Sequence, residues 1–290
     1  MLQPGNQFFI PVRDYDLDAT LASGQAFRWQ LRAGAWESFI EAHWVRLQAQ
    51  AEGILAETAA PMSDWTWLTH YLQTEVALDA VLLSFPDDEP MRTSVIACRG
   101  LRLLRQDPWE CLASFLLSST KQIVQIQQIV ALLCSRFGAP ALVPPGHEPA
   151  FAFPTAERLA ATTEAELRAC KMGFRAPYLL TTAKMVANRE VDLPSLHTRT
   201  VEEAREQLLK FPGVGHKIAN CVLLFAYGFQ QAFPVDVWVM KALRELYFPK
   251  RRPSVKRLAR FTATHFGANA GYAQQYLFHY MRTRLGRDGQ

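Results

Sequence analysis

Leu209-Lys-Phe-Pro-Gly-Val-Gly-His-Lys-Ile-Ala-Asn-Cys-Val-Leu-Leu-Phe225 is the stretch that decides the fold: it predicts a helix end, a tight Pro-Gly-x-Gly hairpin and a second helix. Two glycines in a short turn let backbone amides approach a phosphate at a helix start, where the helix dipole also favours an anion. Gly213 and Gly215 are therefore candidate contacts to a nucleic-acid backbone. A plain helix–helix turn explains the same residues, and the turn alone favours that simpler interpretation.

A lysine and an aspartate follow this hairpin at short range. Lys217 lies two residues beyond Gly215, and Phe233-Pro-Val-Asp236 leads into the next predicted helix. A lysine in the first turn of a helix lies at the positive end of the dipole, which favours the neutral, nucleophilic amine. Such an amine can attack an anomeric carbon. Asp236 is explained on its own as the N-cap of a helix beginning near Val237, but a capping carboxylate can also stabilise an oxocarbenium-like sugar.

Two patterns of hydrophobic spacing divide the chain. From Phe8 to about Ala60 apolar residues tend to alternate and glycines separate the segments, which is typical of strands and hairpins. From about Asp64 the spacing is helical and is interrupted by proline-rich connectors. We predict an α+β fold, with a small N-terminal antiparallel β-sheet domain over residues 1–85 and a larger all-helical domain over residues 86–290. The connector at residues 139–154 holds five prolines and predicts a surface loop.

Charge and composition narrow the class of protein. The chain has 290 residues, 49% of them hydrophobic, and residues 241–290 carry eleven Lys and Arg against two acidic residues. Such a basic segment suits DNA phosphates, although a solvated basic tail explains it equally well. The five cysteines form no Cys-x-x-Cys pair and no Cys/His cluster, so we expect no metal and no cofactor. No apolar run approaches about 18 residues, so we expect a cytoplasmic protein, associated with the nucleoid in a bacterium, and no membrane partner.

The hairpin, the lysine and the aspartate together resemble the helix-hairpin-helix (HhH-GPD) DNA glycosylases, and specifically the 8-oxoguanine DNA glycosylase/lyase family. Three further stretches also resemble that family, so the resemblance covers residues from about 23 to 280. They are Ser23-Gly-Gln-Ala-Phe-Arg-Trp29, the segment Gly100 to Ser119, and Gly271-Tyr-Ala-Gln-Gln-Tyr-Leu-Phe278. The resemblance implies a TBP-like N-terminal sheet, a helix-hairpin-helix glycosylase domain and removal of 8-oxoguanine from double-stranded DNA. We expect a monomer, because bending and flipping DNA uses one concave face.

The resemblance also assigns roles to the reacting groups. In the family the lysine matched by Lys217 forms a Schiff base with the deoxyribose, and the aspartate matched by Asp236 assists it. 8-Oxoguanine differs from guanine in carrying a hydrogen on N7, and the resemblance implies that the backbone carbonyl of Gly24 accepts it. A simple turn glycine is the alternative explanation of Gly24.

Three side chains complete the expected base pocket. Gln274 and Phe278 are four residues apart and share a helix face, so one can read the Watson–Crick edge of a flipped base while the other stacks on its ring. Cys221 lies four residues beyond Lys217, and the resemblance implies that Cys221 and Phe278 sandwich the lesion. Without the resemblance, Phe278 and Cys221 are explained as ordinary core residues.

Departures from the family pattern fall on the expected DNA contacts. Thr120-Lys-Gln stands in place of an asparagine run, and Gln125 in place of an arginine, both of which contact the orphaned cytosine in the family. Phe174 and Arg175 replace a Tyr-Arg pair, so the wedge aromatic and one arginine remain. We therefore expect a weaker preference for cytosine opposite the lesion than the eukaryotic enzymes of the family have. Trp238 replaces a histidine near a phosphate, and an indole donates one hydrogen bond but carries no charge.

Three alternative functions stay open on the sequence. Alkylated-base glycosylases of the same fold have the aspartate but lack the lysine. The adenine-specific and pyrimidine-specific branches typically carry a four-cysteine iron–sulfur cluster, whose spacing this sequence lacks. A silent damage sensor would bind DNA through the same hairpin without needing both Lys217 and Asp236, and a duplex cleavage assay separates it from an enzyme.

Overall fold

The N-terminal part is a five-stranded antiparallel sheet, with the strand order β1-β5-β4-β3-β2. The computed structural model describes residues 5–118, 121–250 and 253–287. In β5 the buried Ile54, Ala56 and Thr58 alternate with more exposed neighbours, because successive side chains of a strand point to opposite faces. The strands are β1 (Gly5–Pro11), β2 (Gln30–Arg32), β3 (Ala35–Ile40), β4 (His43–Gln50) and β5 (Gly53–Met62).

One helix lies within the sheet region, and from Thr66 onward the chain is mainly helical, as the spacing predicts. The α-helices are α1 (Leu17–Ala22), α2 (Thr66–Leu72), α3 (Leu78–Leu83), α4 (Glu89–Cys98), α5 (Pro108–Leu116), α6 (Ile123–Phe137), α7 (Ala156–Ala160), α8 (Glu164–Leu167), α9 (Ala176–Ala187), α10 (Val201–Leu208), α11 (His216–Val222), α12 (Val237–Ala242), α13 (Val255–His265) and α14 (Ala270–Arg287). Irregular helical turns follow three of these helices: Arg168–Met172 and then Gly173–Arg175 follow α8, Leu223–Tyr227 follows α11 and Leu243–Tyr247 follows α12. A further turn covers Pro194–Thr198.

The proline-rich connector is more ordered than the sequence predicts. Within it, β6 (Pro140–Ala141) pairs with β7 (Ala150–Phe151) in a two-residue antiparallel ladder. The prediction of a plain surface loop was incomplete, because a ladder of this length is too short to produce an alternating pattern. Pro140 is the first residue of β6, a position where proline is tolerated although it has no N–H to donate to the ladder.

Buried side chains form two clusters, one under the sheet and one among the helices. Leu104 from the helical region joins the sheet cluster, whereas Phe27 from the sheet region joins the helical cluster. The indole of Trp29 also donates to the hydroxyl of Tyr71 at 3.0 Å. The segment from Ser23 to Trp29 is therefore held between the two clusters; the division of the chain at residue 85 stays a prediction. No helix of the described ranges is long and apolar enough to span a bilayer.

Candidate active site

The hairpin between α10 and α11 uses its two glycines differently. Gly213 has a φ of +78°, and a Cβ there would lie 2.7 Å from Cδ2 of Tyr178. Gly215 is the N-cap of α11 and is exposed, and a Cβ there would have no described neighbour within 4 Å. The fold therefore requires glycine at 213, while at 215 the missing side chain leaves the backbone amides of the helix start open to a ligand such as a phosphate.

The amine of Lys217 is held where α5 meets α11. Its Nζ donates to Oγ of Ser118 at 2.7 Å and lies 5.5 Å from the ring centroid of Phe115. The Ser118 hydroxyl in turn donates to the carbonyl of Phe115 at 2.6 Å. Phe115 stacks on Phe225, with centroids 5.5 Å apart. The nucleophile expected from the sequence thus rests on an aromatic platform and is oriented by one hydroxyl.

Asp236 begins α12 and faces the same space. Its Oδ1 accepts from the backbone N–H of Val239 at 2.8 Å, so Asp236 is an N-cap, as the sequence predicts. Burial raises the pKa of Asp236, and the Val239 N–H and the Lys217 cation act in the opposite direction. Burial also raises the pKa of the Cys221 thiol to about 11, although the nearby Lys217 cation lowers it. Cys221 is therefore a neutral thiol beside the lysine and the carboxylate.

The turn at Gly24 packs against the start of α6 and against α14. Gly24 has a φ of +77°, a conformation that other residues adopt at a cost. A Cβ there would lie 2.6 Å from Cδ1 of Ile123 and 3.3 Å from Nη1 of Arg282. The backbone conformation therefore favours glycine, and a side chain there would also have to displace the end of the Ile123 side chain.

Gln25, the next residue, fixes this turn to the helical part of the chain. Its buried Nε2 donates to the carbonyls of Thr20 at 3.1 Å and Arg102 at 2.8 Å. Its Oε1 accepts from the N–H of Leu104 at 2.8 Å, and its own carbonyl accepts from Nε2 of Gln106 at 2.6 Å. The glutamine of the Ser-Gly-Gln motif thus sets the position of the Gly24 backbone.

Gln274 and Phe278 lie on α14, one turn apart, as the spacing predicts. They are 3% and 9% exposed, and Phe278 packs within the helical cluster. Oε1 of Gln274 is buried and has no hydrogen-bond partner among the described residues. A buried amide oxygen without a partner costs free energy, which an N–H donor on a ligand would recover.

An aromatic residue and an arginine stand beside the hairpin. Phe174 is 54% exposed, and the guanidinium carbon of Arg175 lies 4.7 Å from its ring centroid and 5.7 Å from that of Tyr178. A Cβ at Gly213 would be 3.3 Å from Nη1 of Arg175. The structure therefore places Phe174, Arg175 and the hairpin at one surface.

Known protein families match both the N-terminal part and the helical part of this chain. Residues 7–112 match the family described as "8-oxoguanine DNA glycosylase, N-terminal domain", and residues 113–265 match "HhH-GPD superfamily base excision DNA repair protein". The Arabidopsis thaliana protein named "N-glycosylase/DNA lyase OGG1" is 32% identical, over 90% of this chain and 76% of its own length. The Methanothermobacter thermautotrophicus "Probable N-glycosylase/DNA lyase" is 28% identical, over 94% of this chain and 95% of its own.

A solved structure gives the same result in three dimensions. The Clostridium acetobutylicum 8-oxoguanine glycosylase/lyase, in complex with double-stranded DNA containing cytosine opposite 8-oxoguanine, is 30% identical to this chain. The two superpose with a TM-score of 0.88 over 96% of this chain and 98% of that one. This chain belongs to the 8-oxoguanine DNA glycosylase family.

Three further residues of this glycosylase are expected from the sequence to contact DNA: Thr120, Gln125 and Trp238. Gln125 is exposed, but its Oε1 accepts from the backbone N–H of Gln122 at 3.1 Å and so closes the start of α6. Trp238 is partly buried against the helical cluster. Thr120 lies outside the described residues. These residues are therefore not seen together, and their contacts to DNA stay predictions.

Two residues that lie beside the expected site residues, Ser118 beside Lys217 and Arg282 beside Gly24, were missed by the sequence reasoning. Ser118 lies inside the quoted motif, but the motif gave no reason for its hydroxyl. Arg282 continues the face of Gln274 and Phe278 by one more turn, a signal that the spacing contained. A cavity of about 620 Å³ lined in part by Glu110 lies elsewhere, since Lys217 is not among its lining residues.

Proposed function

We propose that this chain is a bifunctional DNA glycosylase and abasic-site lyase that removes 8-oxoguanine from double-stranded DNA in base excision repair. The observation that supports this most directly is that Lys217 and Asp236, both partly buried, lie close enough for the Lys217 cation to act on the pKa of the Asp236 carboxyl. A glycosylase of this fold that only hydrolyses its substrate needs the aspartate alone. The lysine adds a nucleophile that can remain attached to the sugar.

The pocket residues suit an extruded purine. The carbonyl of Gly24 accepts the N7–H of 8-oxoguanine, and the unpartnered Oε1 of Gln274 accepts from its Watson–Crick edge. The neutral thiol of Cys221 and the ring of Phe278 stack on its two faces. Phe174 fills the space that the base leaves in the duplex.

The hairpin and the basic C-terminal segment hold the DNA backbone. Backbone amides near Gly213 and Gly215 bind a phosphate at the start of α11. Arg175, Thr120 and Gln125 contact the orphaned base, and Trp238 provides a neutral hydrogen bond to the damaged strand. One chain supplies all these contacts, so the enzyme acts as a monomer. Its place of action is the chromosome, which in a bacterial host is the nucleoid.

The chemistry has two steps. The neutral amine of Lys217 attacks C1′ while the C1′–N9 bond breaks and its electron pair leaves with the base. The carboxylate of Asp236 stabilises the positive charge that develops on the sugar. Opening of the sugar ring then gives an imine on Lys217, and loss of a C2′ proton expels the 3′ phosphate and cuts the strand.

The test is a single-turnover assay on end-labelled duplexes that carry one 8-oxoguanine, one guanine or one abasic site. We expect base release and direct strand scission with 8-oxoguanine, scission alone at the abasic site and neither with guanine. Lys217→Gln should lose direct scission on both damaged duplexes. Binding without any base release would support the silent sensor instead, and release of an alkylated purine in place of 8-oxoguanine would support the other branch of the fold.

A further inference from the structure

One arginine of the basic C-terminal segment, Arg282, points its guanidinium group into the protein. Arg282 lies on α14, one turn beyond Phe278 and two turns beyond Gln274, so the three share a helix face. Its Nη2 donates to the carbonyl of Ala22 at 2.5 Å. Its Nη1 is buried and has no hydrogen-bond partner among the described residues. A buried guanidinium N–H without an acceptor is costly, so this atom marks a place where a ligand oxygen would bind.

The surroundings of Arg282 locate that place within the pocket. Its Nη1 is 3.3 Å from the position that a Cβ on Gly24 would occupy, and its guanidinium carbon is 5.8 Å from the ring centroid of Phe278. Burial lowers the pKa of Arg282, and the carboxylate of Asp236 acts in the opposite direction. The guanidinium therefore lies beside the Gly24 turn and the Phe278 ring, and the charge of Asp236 acts on it.

The atoms of 8-oxoguanine can be matched to this arrangement. If N7 is at Gly24 and the sugar-bearing N9 is near Lys217 and Asp236, then O8 lies between them, because C8 joins N7 to N9. Gln274 stands about 12 Å from Arg282 along the helix axis, since a residue rises about 1.5 Å. The amide therefore meets the Watson–Crick end of the purine, and the guanidinium meets the O8 end.

We propose that Arg282 is a further residue of the base pocket, which donates from Nη1 to O8 of the extruded 8-oxoguanine. The proposal rests on the function proposed above. The hydrogen bond stabilises the base as a leaving group: when the C1′–N9 bond breaks, its electron pair stays on the base and is shared between N9 and O8. The lone pair of Lys217 forms the new bond to C1′, and the proton that the amine then loses neutralises the base.

The same contact distinguishes the lesion from guanine. Guanine has a C8–H where 8-oxoguanine has O8, so a guanine in this pocket would leave the Arg282 N–H buried without an acceptor. A wrong substrate that leaves a buried polar group of the site unpaired is rejected more strongly than one that only fits the site loosely. Gly24 would then recognise N7–H and Arg282 would recognise O8, which are two separate results of oxidation at C8.

The experiment compares the parent with Arg282→Met, using Arg199→Met as the matched control because Arg199 is exposed and has no role in the proposed site. Single-turnover base release is measured with saturating enzyme on 8-oxoguanine and on 8-thioguanine, which keeps N7–H but replaces O8 with sulfur, a weak acceptor. Scission is measured at a preformed abasic site. Arg282→Lys, which keeps the charge, serves if the methionine variant folds poorly.

We expect Arg282→Met to release 8-oxoguanine about 100-fold more slowly than the parent, the loss typical of removing one donor to a developing anion. The rate of abasic-site scission by the variant should stay within about threefold of the parent's rate. With 8-thioguanine, the parent should release the base only about 10-fold faster than the variant, or less. Equal loss on both bases would mean that Arg282 only supports the Gly24 turn through Ala22, and would overturn the proposal. Unchanged release, or equal loss of release and scission, would also overturn it. A parent without any 8-oxoguanine release would instead refute the proposed function.

Discussion

Replacing Asp236 with asparagine and with alanine separates its two roles. The Oδ1 atom accepts the Val239 N–H at 2.8 Å, and asparagine caps helices about as well as aspartate. We therefore expect Asp236→Asn to change the free energy of unfolding by less than about 0.5 kcal/mol, whereas Asp236→Ala loses the cap and about 1 kcal/mol. Base release should fall about 100- to 1,000-fold in both variants, which corresponds to about 3 to 4 kcal/mol of lost electrostatic stabilisation.

The pH dependence of base release gives the same variant a second readout. Burial raises the pKa of Asp236 above its usual value of 3.8, so the neutral acid persists to a higher pH than in an exposed aspartate. Because the carboxylate is the active form, base release should fall as the pH drops through this raised pKa, and Asp236→Asn should lack that limb. Single-turnover rates and urea unfolding test both points. Release by Asp236→Asn within about threefold of the parent, or with the same acid limb, would refute the reasoning.

Gly24→Ala should slow base release at least 10-fold more than it slows abasic-site scission. The φ of +77° at this position costs alanine about 1 to 2 kcal/mol, and the end of Ile123 must move to make room. Paired single-turnover assays of release and scission measure the difference. Ser118→Ala should slow imine formation about 10-fold, because the Ser118 hydroxyl accepts from Lys217 and orients the amine. A hydrogen bond to a charged group contributes about 1.5 to 3 kcal/mol. Timed borohydride trapping measures the rate of imine formation. Release opposite adenine should be within about 10-fold of release opposite cytosine, and Gln125→Arg should widen that difference in competition assays.

Each of these three has a result that contradicts it. Equal slowing of release and scission by Gly24→Ala would point to a general loss of structure. Normal trapping rates in Ser118→Ala would show that the platform of Phe115 alone orients the lysine. Release opposite adenine that is much slower than opposite cytosine in the parent would show that Gln125 and its neighbours still select cytosine.

Local sequence signals predicted the parts of the site that depend on local structure. The hairpin glycines, the first-turn position of Lys217 and the cap at Asp236 follow from residues within one turn of each other. The two-residue strands β6 and β7 and the six-residue helix α1 were not predicted, because such short elements leave little periodic pattern.

Contacts between distant segments could not be predicted in this way. The bond from Lys217 to Ser118 joins residues 99 positions apart, and that from Arg282 to Ala22 joins residues 260 apart. An arginine in a basic C-terminal segment is more simply explained as a phosphate contact, and only the packing of α14 against the Gly24 turn points to the role proposed for Arg282. Gln125 likewise closes the start of its own helix, a role that the family pattern at that position does not indicate.

The most direct test of the central claim is borohydride trapping on an end-labelled duplex with one 8-oxoguanine opposite cytosine, with the parent and Lys217→Gln side by side. We expect a covalent protein–DNA band with the parent and none with the variant, because Lys217 forms the imine with the sugar from which the base has left. A band of equal strength with Lys217→Gln would place the nucleophile elsewhere. No band with the parent on either an 8-oxoguanine or an abasic-site duplex would contradict the lysine mechanism itself.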